Sequence, residues 1–205
     1  MKKLPREFYL HPDTLEIAKD LLGKLLVVPN AAGERVSGMI VETEAYLGAI
    51  DKAAHSYKNR RTPRTETMFA EGGTAYIFFI YGMYFQFNVV VGKVDTPHAV
   101  LIRAVEPIEK IETMRERRLA KNPNSKIIDK NLTSGPGKLC IALGIDKSFN
   151  NADLLGEKVW LEAFNTFSTD QIVCGKRIGI DYAEEYAEKS WRFWVKDNPY
   201  VSRLK

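Results

Sequence analysis

The segment from Thr74 to Val91, TAYIFFIYGMYFQFNVVV, constrains the fold of this chain more than any other part of the sequence. It consists of two runs rich in aromatic and β-branched residues, a composition that favours strands. The Gly82-Met83 step divides the two runs, and a turn signal at such a place is typical of a β-hairpin. We therefore predict two adjacent antiparallel strands, with most of the aromatic rings in a sheet core.

Other elements lie on both sides of this hairpin in the sequence. A capping-box pattern at residues 13–16 predicts a short helix. Pro107 is expected to open a second helix that carries Ile108 and Ile111 inward, and a third helix is expected over 138–143. Strands are predicted at 24–28, 36–43, 100–105, 159–161, 177–180 and 192–195.

These elements do not alternate regularly between strand and helix, and no G-x-G-x-x-G motif follows a strand. The pattern therefore favours an α+β fold over a doubly wound sheet. We predict a single mixed domain with a curved, mostly antiparallel sheet, flanking helices and a protruding β-hairpin.

The composition is that of an ordinary globular protein. The chain has 205 residues, of which 45% are hydrophobic and 27% are charged, and this suits one domain over residues 1–205. No apolar run is long enough to span a bilayer, and no apolar signal core follows the basic start. We expect no membrane partner and a cytoplasmic location, nucleoid-associated in a bacterium or nuclear in a eukaryote.

Glu42, Glu44, Tyr46 and His55 are the candidate site residues of the run from Val41 to His55, VETEAYLGAIDKAAH. A carboxylate in apolar surroundings can act as a general base on water, and the spacing alone does not separate Glu42 from Glu44. His55 lacks the partners of an H-E-x-x-H motif, and Cys140 and Cys174 fit no metal spacing. We therefore expect neither a metal nor another cofactor.

The tip of the predicted hairpin carries large side chains at a turn, where surface exposure is the rule. An aromatic ring or a methionine held at such a tip has the geometry of a wedge that enters a stack of bases. Tyr81 and Met83 are the candidates. Asn88, inside an apolar strand, must satisfy its amide through the backbone or in a pocket.

The charge distribution is compatible with a nucleic-acid partner but does not require one, because the net charge is only +4. Lys58, Arg60, Arg61 and Arg64 cluster after the candidate site, where contact with phosphates is a reasonable interpretation. Arg103, on a predicted strand, suits either a structural ion pair or a phosphate anchor. Lys138 follows a glycine-rich turn at a helix start, which is a setting for anion binding.

Several of these segments together resemble the alkyladenine (3-methyladenine) DNA glycosylase family. The segments are VETEAYLG, DKAAHS, RTPR, MF, GTAYIFFIYGMYFQFNVV, IRAVEP and SGPGKLC, in order, within a match from about Phe8 to Val201. The resemblance implies a base-excision repair enzyme that flips a damaged purine out of duplex DNA and hydrolyses its N-glycosidic bond.

The resemblance also implies roles for individual residues. Glu44, and not Glu42, would activate the water. Tyr46 would stack on the flipped base, His55 would hydrogen-bond to it, and Asn88 would screen against the exocyclic amine of guanine. The implied wedge at the hairpin tip is Tyr81, with Met83 beside it. We further predict Arg103 near the nucleotide, Phe78 as the second stacking residue, and Arg60, Arg64, Lys138 and Lys147 on the DNA backbone.

One position departs from the family pattern, because the second stacking residue is usually tyrosine and is Phe78 here. Phenylalanine keeps the stacking face and loses the hydroxyl hydrogen bond, so the change bears on the substrate range. No lysine is placed as an obvious Schiff-base nucleophile, and a single hairpin wedge requires only a monomer. We expect a monofunctional, monomeric enzyme; a non-catalytic DNA-binding module and a free-nucleoside hydrolase remain the alternatives.

Overall fold

A computed structural model describes residues 2–202 of the chain. Strands and helices alternate irregularly along these residues, as the sequence predicts. In chain order they are α1 (Arg6–Tyr9), α2 (Thr14–Asp20), β1 (Leu25–Pro29), β2 (Arg35–Tyr46), β3 (Ala75–Ile80), β4 (Tyr84–Val91), β5 (His98–Glu109), α3 (Ile111–Lys121), α4 (Pro136–Leu143), β6 (Trp160–Glu162), β7 (Ile172–Gly175) and β8 (Arg192–Val195). Short 3-10 helices lie at Gly48–Ile50, Tyr57–Asn59, Glu66–Phe69, Asp129–Asn131, Lys147–Phe149, Thr169–Gln171 and Asp181–Tyr186.

The strands form one curved sheet in the order β3-β4-β5-β2-β1-β6, and β8 joins it by pairing with both β2 and β7. Every strand pair within the described residues is antiparallel. The predicted α+β fold with a mostly antiparallel sheet, flanking helices and a projecting hairpin is therefore confirmed.

Strand β2 is the centre of the sheet and the element that carries both candidate glutamates. Its first half pairs with β1, its second half pairs with β8 at Glu42–Glu44, and its other edge pairs with β5. The register with β5 shifts on both sides of Glu42, which marks a β-bulge. Bulges re-aim side chains and are frequent beside active sites. Both Glu42 and Glu44 are completely buried.

The hairpin of β3 and β4 pairs from Ala75 with Val89 to Ile80 with Tyr84, as the sequence predicts. Helix α4 begins with Pro136 at its first turn and supports this hairpin from one side. A Cβ atom on Gly137 would lie 3.0 Å from the Tyr84 ring, so glycine allows this close approach. The start of α4 therefore helps to fix the base of the hairpin.

Two predicted elements are wrong. Pro107 does not open a helix; it lies within β5, opposite Gly38, at a register shift where the missing N–H of proline is tolerated. The helix begins instead at Ile111, which is 37% exposed and does not face inward. The predicted strand at 177–180 is also absent, because β7 ends at Gly175 and the chain then turns into the protein interior at Arg177.

Residues 2–202 contain neither a membrane-spanning helix nor a cluster of metal-ligating side chains. In this part of the chain, no helix is long and apolar enough to cross a membrane. The same residues contain no group of three or more histidine, cysteine, aspartate or glutamate side chains arranged to hold a metal ion.

Candidate active site

A cavity of about 270 Å³ opens where the hairpin meets β2, β5 and the segment that follows Arg177. Its walls are mainly aromatic and aliphatic, with a few polar groups, which is the usual character of a small-molecule site. The structure places all five predicted substrate-binding residues and the predicted wedge in its lining: Tyr46, His55, Phe78, Asn88, Arg103 and Tyr81.

Glu44 lies directly behind this cavity, and its neighbours Tyr46, Arg103 and Ile178 line it. The Tyr46 hydroxyl donates to Glu44 Oε2 at 2.9 Å, and the Ile178 backbone N–H donates to Oε1 at 2.8 Å. An Arg103 guanidinium nitrogen lies 3.2 Å from Oε1. Each carboxylate oxygen can accept two hydrogen bonds, so Oε2 retains capacity for a further donor such as a water molecule.

Glu42 has a different environment two residues earlier. Its Oε1 accepts hydrogen bonds from Arg103 Nε at 2.9 Å, from Arg192 Nε at 2.7 Å and from the Ser202 hydroxyl at 2.8 Å. Its Oε2 accepts the Ser202 backbone N–H at 2.7 Å. With two guanidinium groups and a serine on the carboxylate, Glu42 is a structural anion, and Glu44 is the better placed base.

Tyr46 connects the catalytic candidate to the cavity wall. Burial, and after it the negative charge of Glu44, raises the pKa of the Tyr46 phenol well above its ordinary value. The hydroxyl therefore stays protonated and acts as the donor to Glu44. The ring itself lines the cavity, so one side chain both orients the carboxylate and offers a flat surface to a ligand.

Two residues of the segment between β2 and β3 and one residue of β3 bring three planar groups into one stack. The ring centroids of His55 and Phe78 are 3.9 Å apart with an interplanar angle of 27°, and the Arg64 guanidinium carbon is 4.1 Å from the Phe78 centroid. Two planar groups this close cannot share one face of a ring, so His55 and Arg64 cover opposite faces of Phe78. Phe78 therefore contributes its edge to the cavity, contrary to the face that a direct stacking role would need.

His55 lies at the mouth of the cavity, exposed on one side and packed against the rings of Tyr76 and Phe78 on the other. Its Nδ1 is 3.0 Å from the Tyr76 hydroxyl. This packing, and after it the positive charge of Arg64, lowers the pKa of His55 to about 4. The imidazole is therefore neutral at neutral pH and can form a hydrogen bond without adding charge.

Asn88 and Arg103 supply the polar groups of the cavity floor. The Asn88 amide nitrogen donates to the Tyr76 carbonyl oxygen at 3.1 Å, so the amide is held by the neighbouring strand and is not free to rotate. Burial opposes the positive charge of Arg103, but the carboxylates of Glu44 and Glu42 together raise the pKa of its guanidinium. Arg103 is thus the structural ion-pair partner that the sequence allowed, and it also lines the cavity.

The hairpin tip projects as predicted. Tyr81 is 78% exposed and Met83 is 55% exposed, and both lie in the short turn between β3 and β4. Tyr81 has a φ of +54°, a left-handed conformation that is uncommon for a tyrosine. Met83 does not line the cavity; it borders a second groove of about 800 Å³ on the α4 side of the hairpin.

The four cations predicted on the DNA backbone are spread around this surface. Lys138, half-buried in the first turn of α4, lines the second groove. Arg60 and Lys147 are exposed. Arg64 is exposed too, but its guanidinium donates to the Phe79 carbonyl oxygen at 2.9 Å and stacks on Phe78, so it already has local partners.

Sequence reasoning missed the contribution of the C-terminal third of the chain to the site. Ile178 donates to Glu44, while Arg192 and Ser202 hold Glu42. The only local signal is the arginine in the otherwise apolar stretch Arg177 to Ile180, for which the sequence predicts a strand. Contacts across more than 130 residues leave no periodic pattern in the sequence.

A family model and several known proteins match this chain over nearly its whole length. The family model described as methylpurine-DNA glycosylase (MPG) matches residues 7–199. A protein of Clostridium novyi is 53% identical over 205 residues, covering 99% of this chain and all of its own length. One from Alkaliphilus oremlandii is 55% identical over 204 residues, covering 98% and 99%. Both carry the name "Putative 3-methyladenine DNA glycosylase".

The family match covers nearly the whole chain, and the relatives align along their full lengths. The matched region includes both candidate glutamates, the hairpin and the segment around Arg177. This chain therefore belongs to the methylpurine-DNA glycosylase family, whose members are DNA-repair hydrolases of N-glycosyl bonds.

Proposed function

We propose that this protein flips alkylated or deaminated purines out of duplex DNA and hydrolyses their N-glycosidic bond with a water molecule activated by Glu44. The substrates are of the 3-methyladenine, 7-methylguanine and hypoxanthine type. The observation that carries the proposal is the position of Glu44, completely buried behind an aromatic cavity with one oxygen bonded to Tyr46 alone within the described residues.

The proposed reaction replaces the base by water at C1′ of the deoxyribose. Glu44 accepts a proton from the water as its oxygen bonds to C1′, and the electron pair of the broken C–N bond leaves with the purine. Alkylation at N3 or N7 makes the purine cationic, so an alkylated base departs as a neutral molecule. Neutral hypoxanthine leaves with the same electron pair and takes up a proton from solvent. The carboxylate also stabilises the positive charge that develops on the sugar.

The cavity suits a flipped purine. Its volume of about 270 Å³ is at the small end of ligand pockets and favours a single base over a larger group. Tyr46 forms one wall, and His55 together with the edge of Phe78 forms another. Extrusion of a base costs a few kcal/mol, least for a damaged pair, so the flipping step itself contributes selectivity.

Tyr81 is the proposed wedge that fills the gap left by the flipped base, with Met83 beside it. Both are exposed at the hairpin tip, and Tyr81 also borders the cavity mouth, so a base leaving the stack would pass next to the ring. Arg60, Arg64, Lys138 and Lys147 are proposed to contact the backbone of damaged double-stranded DNA. One copy of the hairpin suffices for this action, so we propose that the enzyme works as a monomer.

Water is the proposed nucleophile, and strand cleavage is not expected. No lysine borders the cavity within the described residues, so none is placed to form a Schiff base with C1′. A free-nucleoside hydrolase would use the same carboxylate but would need no exposed wedge, and a pure binding module would need no buried Glu44. The presence of both features in one site favours the glycosylase.

The decisive experiment compares wild type with Glu44→Gln on a duplex oligonucleotide that carries one hypoxanthine and, separately, on methylated duplex DNA. Wild type should release free purine, and Glu44→Gln should bind the damaged duplex but release at least 100-fold less. Glu157→Gln, at a glutamate that is 88% exposed, is the matched control and should retain full activity. Robust release by folded Glu44→Gln would reject the assignment of the base.

A further inference from the structure

Behind the cavity lies a completely buried ion pair that the proposed reaction does not use directly. The two terminal guanidinium nitrogens of Arg177 lie 2.5 and 2.9 Å from the two carboxylate oxygens of Asp51, and both side chains are fully buried. The third nitrogen, Nε, has no hydrogen-bond partner in the described structure. Burial of an ion pair is costly and usually brings little stability, so such a pair calls for another explanation.

Arg177 contacts strand β2, which carries Glu44, at two points. One guanidinium nitrogen donates to the Ala45 carbonyl oxygen at 2.8 Å, between Glu44 and Tyr46 in the chain. The guanidinium carbon lies 4.7 Å from the Tyr46 ring centroid and 5.0 Å from that of Trp191. Since Arg177 does not line the cavity and Tyr46 does, the guanidinium covers the ring face that points away from the cavity.

The backbone next to Arg177 holds the carboxylate itself. The N–H of Ile178 donates to Glu44 Oε1 at 2.8 Å, so the position of Arg177 fixes the donor that orients Glu44. Asp51 in turn accepts the backbone N–H groups of Leu47 at 3.2 Å and Ala53 at 3.0 Å, in the loop that leads to His55. The Asp51–Arg177 pair therefore links three parts of the site. These are Glu44, the Tyr46 ring and the loop that leads to His55.

We propose that Arg177, paired with Asp51, is a positioning residue of this active site, and that the pair keeps the rear of the Tyr46 ring electrically neutral for a cationic base. The proposal rests on the proposed function. Arg177 touches neither substrate nor reacting atoms; it acts through Tyr46 and through the Ile178 N–H. The bidentate geometry suits this task, because a guanidinium fork is fixed in orientation where an ammonium group is not.

The charge balance gives the proposal its specificity. With Asp51 ionised, the positive charge of Arg177 behind Tyr46 is compensated at hydrogen-bond distance. Without that carboxylate, a base stacked on the front of Tyr46 would face an uncompensated cation across the ring. At an effective dielectric constant of about 20, that repulsion would disfavour a cationic base by roughly tenfold or more and leave a neutral base largely unaffected.

The test is single-turnover excision of 7-methylguanine, which is cationic, and hypoxanthine, which is neutral, from otherwise identical duplexes. Asp51→Asn should lower the ratio of the two rates by roughly tenfold. The double variant Asp51→Asn with Arg177→Met removes both charges, so it should restore the ratio while both rates stay low because positioning is lost. Glu184→Gln, which removes the carboxylate paired with Lys52, the residue next to Asp51, is the matched control and should leave rates and ratio unchanged.

Equal losses for both bases in Asp51→Asn, with no change of ratio, would overturn the charge role and leave a merely structural pair. If Asp51→Asn does not fold, Arg177→Lys keeps the charge and loses the fork and the stack. It should then lower the single-turnover rate at least tenfold with duplex affinity within twofold of wild type. An unchanged rate would overturn the positioning role. Failure of the proposed function is distinguishable, since wild type itself would then release neither base.

Discussion

Glu42 and Glu44 are identical side chains two positions apart on one strand, and their neighbours divide their roles. Glu42 accepts from Arg103, Arg192 and Ser202, which leaves it an anion held for structure. Glu44 shares only Arg103 with it and otherwise contacts one hydroxyl and one backbone N–H. At this scale the number and kind of hydrogen-bond donors support the proposal that Glu42 is a structural carboxylate and Glu44 the general base.

Glu42→Gln should therefore damage the fold, because it removes the anion between two buried guanidinium groups. We expect a loss of about 3–5 kcal/mol in the free energy of unfolding, measured by urea denaturation at neutral pH. Glu157→Gln breaks the exposed Lys3–Glu157 pair and should cost at most about 1 kcal/mol. Similar losses in the two variants would contradict the structural role of Glu42.

His55 predicts a dependence of stability on pH. Its pKa in the folded protein is about 4, below the ordinary value of 6.5. Between these two values the unfolded chain binds a proton on residue 55 that the folded chain does not, so stability falls as the pH falls from 6.5 toward 4. His55→Gln should lose less stability than wild type between pH 7 and pH 5, measured by urea unfolding.

Because His55 is exposed on one side, solvent screening should keep this difference below about 1 kcal/mol. Titration of the His55 ring by nuclear magnetic resonance measures the same shift directly. A pKa at or above 6.5 for that ring would show that its packing against Phe78 and Arg64 does not disfavour the charged form.

At the scale of the element, the β3–β4 hairpin combines a regular ladder with a strained tip. Its strands were predictable because aromatic and β-branched residues dominate both runs and a glycine divides them. The backbone at Tyr81 adopts a left-handed conformation, which costs an L-residue roughly 1–2 kcal/mol. Strain at an exposed residue supports the hypothesis that stability and function favour different side chains there.

Tyr81→Gly should separate these two demands. Glycine adopts a positive φ without strain, so the free energy of unfolding should stay level or rise by up to about 1 kcal/mol. Affinity for a lesion-containing duplex should fall at least tenfold because the ring is absent, and Tyr81→Phe, which keeps the ring, should bind like wild type. Thermal unfolding and fluorescence anisotropy measure the two effects. A variant that is both destabilised and fully competent in binding would contradict this account.

Elements away from the hairpin show where sequence reasoning ends. Pro107 is a reasonable first residue for a helix, but β5 continues past it because its partner strand supplies a register shift at that point. Arg177 to Ile180 looks like a strand, but the buried partner of Arg177 is Asp51, 126 residues away. Local composition predicts local conformation; it does not encode which distant carboxylate a buried arginine meets.

At the scale of the whole molecule, the modest net charge of +4 makes the placement of cations more informative than their number. If Arg60 and Lys147 each contact a phosphate, replacing either by alanine should reduce the slope of log affinity against log salt concentration by about 0.9. Duplex binding measured across a salt series tests this. Lys110→Ala is the control. Lys110 follows the last residue of β5, whereas the β5 residues that line the cavity lie in the first half of that strand.

A slope for Arg60→Ala equal to that of Lys110→Ala would remove Arg60 from the DNA interface, and the same comparison applies to Lys147. Each of the three substitutions removes one positive charge, so the net charge changes by the same amount in all of them. A difference in salt dependence between these variants therefore reports the position of the lost charge, because the change in total charge is the same.

The hydrogen bonds between Ser202 and Glu42 have a consequence for how this enzyme is made. Every residue that lines the cavity precedes position 183. The buried carboxylate of Glu42, in contrast, is hydrogen-bonded by Arg192 and Ser202. Chains are synthesised from the N-terminus, so the residues of the aromatic pocket are translated before Arg192 and Ser202, which hold Glu42. A chain that ends before Arg192 would contain Tyr81 and Glu44 but would lack the hydrogen bonds from Arg192 and Ser202 to Glu42. We expect the cell to encounter a competent enzyme only once translation has passed residue 202.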